Sequence, residues 1–231
     1  SVRGNLIRNY RMDYGIPGVP AAMAHLGALR GFDHVVAMSR AMADQVSFYV
    51  GRRPSIIGNF VDEPALEAYR SAATNEGSLR LVFVGSLSTR KRPLLAIDAV
   101  HALVRRGVDV RLDMIGDGPL RSQLEAEIAQ RGLAGVVSLR GQLACPYPIV
   151  AQADALVLPS LSEGVPRAAL EALHLGVPCI LRDVDGNAEF IRPGHSGALF
   201  KDDADLADAV LQVAQNARQQ SGSRNSLLPD L

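Results

Sequence analysis

Short apolar runs alternate with longer amphipathic segments along most of the chain, from about residue 79 onward. The runs are rich in Val, Leu and Ile and have the length of buried strands, which predicts strands at 79–84, 108–115, 136–139, 155–158, 179–181 and 198–200. The segments beside them repeat apolar residues at helical spacing, which predicts helices at 93–106, 119–131, 146–152, 166–175 and 203–218. This alternation predicts an α/β fold with a parallel sheet that is doubly wound, with helices on both faces.

Several polar or glycine-rich loops directly follow predicted strands. Gly85, Gly116 and Glu163 each lie in such a loop. In an open parallel sheet, ligands bind outside the carboxyl ends of the strands. We therefore expect these three loops to lie along one rim of the sheet.

The loop and helix start around residue 163 have the most distinctive polar pattern. Glu163 precedes a helix that we predict to begin at Pro166, and Glu171 falls in the second turn of that helix. Eight residues turn through about 800°, so Glu171 returns to within roughly 80° of the starting direction. Backbone N–H groups near Gly164 and Val165 lie at the positive end of the helix dipole, which suits a phosphate or a polar sugar. The alternative is an ordinary amphipathic helix behind a turn, with both acids solvated.

Two further loops on this rim contain glycine. Residues 85–92 combine Gly85 with three consecutive cations, Arg90, Lys91 and Arg92, which fits either a diphosphate clamp or a solvated basic turn. Residues 116–119 read Gly-Asp-Gly-Pro, which favours a tight turn over the close approach of a ligand. Neither loop has the glycine spacing of a dinucleotide fingerprint or a P-loop, which argues against a nicotinamide enzyme and an ATPase.

Composition narrows the class of protein. The chain has 231 residues, of which 48% are hydrophobic and 21% charged, so it can bury a sizeable core. Lys plus Arg and Asp plus Glu are equal at 24 each, so no net charge favours nucleic acid. Cys145 and Cys179 are far apart and have no metal-ligand spacing near them, which indicates a reducing compartment without a disulfide. With no apolar run long enough to span a bilayer and no signal-peptide pattern, we expect a cytoplasmic protein.

A family resemblance covers about residues 78–215. Its motifs stand in order as Val84-Gly85 with Lys91, Ile115 to Leu120, Leu158-Pro159-Ser160, Glu163 to Pro166, Leu170-Glu171-Ala172, Gly176-Val177-Pro178 and Asp185 to Glu189 with Gly194 and Gly197. Together they resemble the donor-binding domain of retaining GT-B glycosyltransferases of group 1. The resemblance implies the Rossmann-like C-terminal domain of the GT-B fold, accompanied by a partial second domain.

The resemblance also implies roles for the residues around the predicted helix start. Glu163 is the candidate catalytic residue and would contact hydroxyls of the donor sugar. The backbone at Gly164, Val165 and Pro166 would hold sugar and phosphate. Glu171 would bind the ribose hydroxyls of the nucleotide.

The remaining donor-binding candidates lie in the other loops. Lys91 would neutralise the diphosphate beside Gly85 and Gly116. Gly141 and Gln142 fall where such enzymes meet the base.

One position departs from the family pattern. Ser86, which is also a donor-binding candidate, stands where an Arg commonly follows the glycine, so one phosphate-neutralising charge is absent unless Arg90 or Arg92 replaces it.

The resemblance implies a hexosyltransferase-type enzyme. It would move a sugar from a nucleoside-diphosphate sugar to a glycan or lipid-linked acceptor, with retention of configuration and with no metal or other cofactor. Two alternatives stay open, a non-catalytic nucleotide-sugar binding module and a nucleotide-sugar epimerase on a GT-B scaffold. A hydrolase that uses Glu163 and Glu171 as acid and nucleophile is disfavoured, because Glu171 is needed at the ribose.

The first 75 residues have a different pattern, with short strands predicted at 33–39 and 54–62. We interpret 1–75 as a remnant of an N-terminal, acceptor-side domain with the interdomain crossover, 76–218 as the donor-binding domain and 219–231 as a flexible tail. On this interpretation the chain is truncated and inactive alone, and surface left bare by the missing part would favour self-association. Peripheral membrane association is expected only of the full-length protein.

Overall fold

A computed structural model describes residues 7, 9–11, 15, 16, 18–70, 77–219 and 225–228. Its described residues divide into two compact units. The first unit takes residues from Ser1–Phe60, Ser162–Arg167 and Val184–Glu189, and the second takes residues from Val61–Leu161, Ala168–Asp183 and Phe190–Leu231. The predicted domain boundary at 75/76 and most of the predicted tail at 219–231 lie outside the described residues.

The strands are short and agree in kind with the apolar runs of the sequence. They are β1 (Val36–Ala37), β2 (Ser55–Ile56), β3 (Leu79–Val84), β4 (Val110–Ile115), β5 (Val137–Gly141), β6 (Ala155–Leu158), β7 (Cys179–Arg182) and β8 (Gly197–Phe200). The α-helices are α1 (Gly18–Ala28), α2 (Arg40–Val50), α3 (Glu63–Glu67), α4 (Pro93–Arg105), α5 (Arg121–Gln130), α6 (Tyr147–Gln152), α7 (Arg167–His174) and α8 (Leu206–Gln219). Within the part of the chain that the structure describes, 3₁₀ turns occupy Leu29–Gly31, Asn187–Glu189 and Asp203–Asp205.

The second unit is built on a six-stranded sheet in the order β5-β4-β3-β6-β7-β8, and every pair is parallel. The central strand β6 is apolar and buried throughout, as expected for a strand covered on both faces. The chain order changes direction between β3 and β6, which is the topological switch point where α/β sheets bind ligands. The predicted doubly wound parallel sheet is therefore confirmed.

Two helices show how the apolar pattern covers this sheet. Helix α4 starts with Pro93 in its first turn and packs against β4 and β6. Helix α8 packs against β6, β7 and β8 and also contacts α4. A capping box between Asp202 and Asp205 precedes α8. The buried face of α8 itself is apolar and includes Leu206, Val210 and Val213.

Among its described residues, the first unit contains the smaller parallel pair of β1 and β2 and the helices α1 and α2. Strands β1 and β2 pair in parallel, with Val36 opposite Ser55. Ser39 caps α2 by accepting a hydrogen bond from the N–H of Met42 at 3.3 Å. Side chains of α1 and α2 form a small apolar cluster that includes Leu26 and Val46.

Several predicted boundaries were wrong by a few residues, for local reasons. The strands predicted at 33–39 and 54–62 shrink to two residues each, because the backbone pairing covers only that length. Val108 does not begin a strand, because its N–H still bonds to Leu103 O at the end of α4. Helix α7 begins at Arg167, so Pro166 precedes it instead of occupying its first position.

No helix among the described residues is long and apolar enough to cross a membrane.

Candidate functional site

The loops that follow β3 and β4 are joined by their backbones. The N–H of Gly85 donates to Ile115 O at 2.9 Å, and the N–H of Leu87 donates to Asp117 O at 3.0 Å. A Cβ at Gly116 would lie 2.0 Å from Gly85 O, and Gly116 has a φ of +137°. Glycine is required here because the two loops lie too close for any side chain. The close approach that Gly116 permits is therefore that of the neighbouring backbone.

The end of β5 continues this row of loops. The N–H of Gly116 donates to Gly141 O at 2.8 Å, and the pairing of β4 with β5 shifts register between Met114 and Ile115. Gly141 has a φ of +70°, and Gln142 follows it as an exposed residue. The structure thus brings Gly85, Gly116 and Gly141 together at the carboxyl ends of neighbouring strands.

Two cations lie against this row: Arg121, whose Nη1 would lie 3.8 Å from a Cβ placed on Gly141, and Lys91 at the Gly85 end. A Cβ placed on Gly85 would lie 3.6 Å from Lys91 Cε and 3.9 Å from its Nζ. The lysine side chain therefore covers Gly85, and its half-buried ammonium group lies at the end of β3. Ser86, which the family pattern would replace by Arg, is exposed beside it.

The two arginines that flank Lys91 lie in different surroundings. Arg92 Nη1 donates to Asp203 Oδ1 at 2.6 Å, and Arg182 also pairs with Asp203. The hydrogen bond with Arg92, followed by that with Arg182, lowers the pKa of Asp203 to about 2. The charge of Arg92 is therefore compensated by Asp203, whereas Arg90 is exposed.

Glu171 lies on α7 and contacts the segment that follows β5. The Tyr147 hydroxyl donates to Glu171 Oε1 at 3.3 Å. The ring centroid of Tyr147 lies 5.6 Å from that of Tyr69. Tyr69 in turn has a side-chain hydrogen bond with Cys145, which raises the pKa of the tyrosine. Sequence reasoning missed Tyr147, because the tyrosine lies 24 residues before its partner and carries no motif of its own.

In the first unit, Glu163 lies in a tightly held loop. Glu163 is only 6% exposed, and its backbone N–H donates to Asp185 Oδ2 at 2.8 Å. Val165 and Pro166 are buried, and Val165 O accepts a hydrogen bond from the Asn59 side chain at 3.4 Å. Gly164 between them is half-buried.

Asp185 and Glu189 are polar residues to which sequence reasoning assigned no role. The carboxylate of Asp185 accepts from both Ser162 and Glu163. Glu189 accepts from the backbone at the start of α2. The sequence signals were the family-like run from Asp185 to Glu189 and the Asp-Gly pair at its start, which is typical of a turn.

The two cysteines are not joined in a disulfide. Both cysteines are free, and burial raises the pKa of the Cys179 thiol. Within the described ranges, no group of three or more His, Cys, Asp or Glu side chains is placed to hold a metal ion.

Comparison with known proteins identifies the family. The family described as glycosyl transferases group 1 matches residues 78–216, which is more than half of the chain. The chain belongs to the glycosyl transferases group 1 family. The match covers the loops after β3, β4 and β5, helix α7 and the sheet that carries them.

Curated relatives share part of the sequence. The chain is 31% identical over 134 residues to the alpha-D-kanosaminyltransferase of Streptomyces kanamyceticus, covering 56% of this chain and 35% of that protein. It is 36% identical over 113 residues to a GDP-mannose-dependent alpha-(1-6)-phosphatidylinositol dimannoside mannosyltransferase of Mycobacterium tuberculosis, covering 48% of this chain and 29% of that protein. The chain thus spans about a third of the length of these two relatives.

Solved structures show the same fold. The structure of TarM from S. aureus in a complex that includes UDP has a TM-score of 0.77 at 18% identity and covers 96% of this chain and 47% of that one. The structure of HepE from Anabaena in complex with UDP-glucose has a TM-score of 0.74 at 19% identity and covers 97% of this chain and 67% of that one. The parallel α/β architecture is thus that of GT-B glycosyltransferases.

Proposed function

We propose that the chain carries the donor-binding part of a glycosyltransferase that takes a sugar from a nucleoside-diphosphate sugar. The observation that carries this proposal is the position of Lys91, whose side chain covers Gly85 at the carboxyl end of β3. A lysine at the switch point of a parallel sheet provides a positive charge for a diphosphate. Membership of the glycosyltransferase family supports the same assignment.

The candidate residues of the second unit divide the nucleotide among them. Lys91 compensates the diphosphate beside Gly85, and Gly116 lets the loops after β3 and β4 lie together at this rim. Glu171 binds the ribose hydroxyls, with its carboxylate held by Tyr147. Gly141 and Gln142 at the end of β5 meet the base.

The loop that precedes α7 would bind the sugar. The Glu163 carboxylate accepts hydrogen bonds from the sugar hydroxyls, and the backbone of Gly164, Val165 and Pro166 supports sugar and phosphate. Glu163 is suited to this role because its main chain is fixed by Asp185.

The proposed chemistry is transfer of a hexose with retention of configuration and without a metal. Departure of the nucleoside diphosphate develops negative charge on its phosphate oxygens, and the Lys91 ammonium group can stabilise that charge electrostatically. The acceptor attacks on the face from which the diphosphate leaves, so the chain needs no protein nucleophile. The acceptor is a glycan or a lipid-linked sugar, and the full-length protein associates peripherally with a membrane.

A second candidate is a nucleotide-sugar binding module without turnover. Ser86 supplies no charge next to Gly85, and the guanidinium of Arg92 is paired with Asp203. Less positive charge beside Lys91 would stabilise the leaving diphosphate less. This alternative predicts donor binding with no transfer to an acceptor, whereas an epimerase would change the sugar without any acceptor.

Isothermal titration calorimetry on the 231-residue chain tests the donor site with UDP, GDP, ADP and their hexose derivatives. We expect selective binding of one nucleotide, and we expect Lys91→Gln to weaken it by roughly ten- to a hundredfold, because charge-assisted hydrogen bonds contribute about 1.5–3 kcal/mol. Glu171→Gln should weaken binding of the ribonucleotide more than that of its 2′-deoxy form.

The matched controls are Lys201→Gln, at an 80% exposed lysine, and Glu125→Gln, at an exposed glutamate of α5. Both should leave affinity within twofold of the parent chain. If the folded chain binds none of these nucleotides, or if Lys91→Gln and Lys201→Gln have equal effects, the proposed donor site is wrong.

A further inference from the structure

The Asp185 carboxylate joins the Glu163 loop to the segment that follows β7. Its Oδ2 atom accepts two hydrogen bonds at 2.8 Å, one from the Ser162 hydroxyl and one from the Glu163 N–H. We infer that Asp185 is a positioning residue that sets the Glu163 carboxylate for the donor sugar. This inference rests on the proposed function, because it assumes that Glu163 meets a sugar.

The backbone of Asp185 is held in an uncommon conformation. Its φ is +51°, in the left-handed region that costs a residue with a Cβ about 1–2 kcal/mol. Asp is one of the few such residues that enter this region, because its short carboxylate can hydrogen-bond locally. Here the carboxylate bonds instead to residues 22 and 23 positions earlier in the chain. The strained conformation thus directs the side chain to the Glu163 loop.

The next residue is confined by its neighbours. A Cβ at Gly186 would lie 3.0 Å from Ser39 Oγ and 3.1 Å from Glu189 Oε1. Glycine therefore permits the segment 184–189 to lie directly against the start of α2. This close contact limits how far the Asp185 backbone can move.

Glu189 anchors the other end of this segment. Its carboxylate accepts the N–H of Arg40 at 3.0 Å and the N–H of Ala41 at 2.8 Å. Both N–H groups lie in the first turn of α2, where they have no partner within the helix and where the helix dipole also favours a negative charge. Asp185 is thus held between a capped helix and the Glu163 loop.

The consequence for Glu163 follows from its burial. The residue is only 6% exposed, so its side chain has little room to compensate for a displaced main chain. Positioning errors of about 1 Å can cost as much as a hundredfold in rate. A group that fixes the Glu163 N–H therefore decides how well the carboxylate meets the sugar, and its loss should weaken a sugar nucleotide more than the bare nucleotide, which would meet this loop only through its phosphate.

Two substitutions at Asp185 separate the hydrogen bonds from the backbone conformation. Asp185→Gly removes the carboxylate but adopts a positive φ without strain, so the variant should fold. Asp185→Asn keeps an acceptor oxygen and the tolerance for a left-handed φ, so it is the matched control. Thermal unfolding of each variant checks that the fold is retained.

The first measurement is hydrogen exchange of the Glu163 amide in the 231-residue chain without ligand. The second is calorimetric affinity for UDP, UDP-glucose, GDP and GDP-mannose. We expect Asp185→Gly to accelerate exchange at Glu163 and to weaken the sugar nucleotide about tenfold, several times more than it weakens the bare nucleotide. Asp185→Asn should stay close to the parent chain in both measurements, and Asp185→Gly combined with Glu163→Gln should be no weaker than Glu163→Gln alone.

Other outcomes overturn the inference in distinct ways. Unchanged exchange at Glu163 in Asp185→Gly would show that Asp185 does not hold the loop. Equal weakening of the bare nucleotide and the sugar nucleotide would assign Asp185 a merely structural role. If the parent chain binds none of the four ligands and neither ADP nor its hexose derivative, the proposed function itself fails, and the role of Asp185 fails with it.

Discussion

Gly116 shows how a single residue sets the geometry of the candidate site. Its sequence context, Gly-Asp-Gly-Pro, fits an ordinary tight turn. In the folded chain, the same glycine also lets the loops after β3 and β4 approach closely, because a Cβ would lie 2.0 Å from Gly85 O. Sequence reasoning could not find this contact, because it depends on the pairing of two strands that lie about thirty residues apart.

Gly116→Ala should therefore be strongly destabilising. The added Cβ must displace the Gly85 backbone, and Gly116 also has a φ of +137°, so we expect a loss of at least about 3 kcal/mol in the free energy of unfolding. Urea denaturation measures this loss. Gly135→Ala is the matched control, because a Cβ there meets no atom within 4 Å, and it should change stability by less than about 1 kcal/mol.

Gly118 is a second glycine at which the loop after β4 lies too close to the loop after β3 for a side chain. A Cβ at Gly118 would lie 2.6 Å from Leu87 O, and the N–H of Leu120 donates to the same carbonyl at 3.0 Å. A parent-like free energy of unfolding for Gly116→Ala would contradict the conclusion that these glycines hold the two loops together.

Asp203, just before α8, forms ion pairs with arginines of two other parts of the second unit. Asp203 pairs with Arg92, which immediately precedes α4, and with Arg182 at the end of β7. The sequence predicted a single helix over 203–218, but Asp203–Asp205 form a 3₁₀ turn ahead of α8. The turn presents Asp203 to both arginines, which periodicity alone does not indicate.

These ion pairs predict a pH-dependent contribution to stability. Because the pKa of Asp203 falls from its usual 3.8 to about 2 on folding, its contribution is complete above about pH 4 and is lost as the pH falls towards 2. Asp203→Asn should lower the free energy of unfolding at pH 7 by about 1 kcal/mol or less, because the side chain is 46% exposed and solvent screens the pairs.

The measurement is urea denaturation of both proteins at pH 7, 5 and 3. The difference between them should be similar at pH 7 and 5 and smaller at pH 3. Asp208→Asn, at a 70% exposed acid of α8 that pairs with Arg106, is the control and should show a smaller difference at every pH. A difference for Asp203→Asn that grows as the pH falls would have the wrong sign for this mechanism.

The first unit exposes several large apolar side chains, which bears on whether the chain self-associates. Phe48 is 81% exposed and Phe60 is 82% exposed, and Phe32 and Ile57 are exposed as well. Single exposed apolar residues are ordinary, but a group of them in so small a unit favours association.

We therefore predict that the chain self-associates. Sedimentation velocity should show a weight-average mass that rises with concentration, and the double variant Phe48→Ser with Phe60→Ser should shift the distribution towards the monomer. Val104→Ser, at a partly exposed apolar residue of α4, is the control and should not change the distribution. A purely monomeric parent chain at high concentration would contradict the prediction.

The fold of the second unit and the family could be predicted from local patterns, because both depend on properties that sequence displays directly. A buried parallel strand such as β6 needs a continuous apolar run, and residues 155–158 supply one. The motifs from Gly85 to Glu189 stand in the order of the family, and a match over residues 78–216 bears out that identification. The alternation of strands and helices then predicts where the candidate loops lie.

Tertiary structure decided which side chains act on one another. The Asp185 contact to Glu163, the Tyr147 contact to Glu171 and the pairing of Arg92 with Asp203 span 22, 24 and 111 residues. No periodicity relates residues at such separations, because the intervening strands and helices set their distance only after packing. The types of element and the family thus follow from local sequence. The hydrogen bond that holds Glu163 and the pairing of Arg92 with Asp203, which compensates a positive charge beside Lys91, follow only from the folded chain.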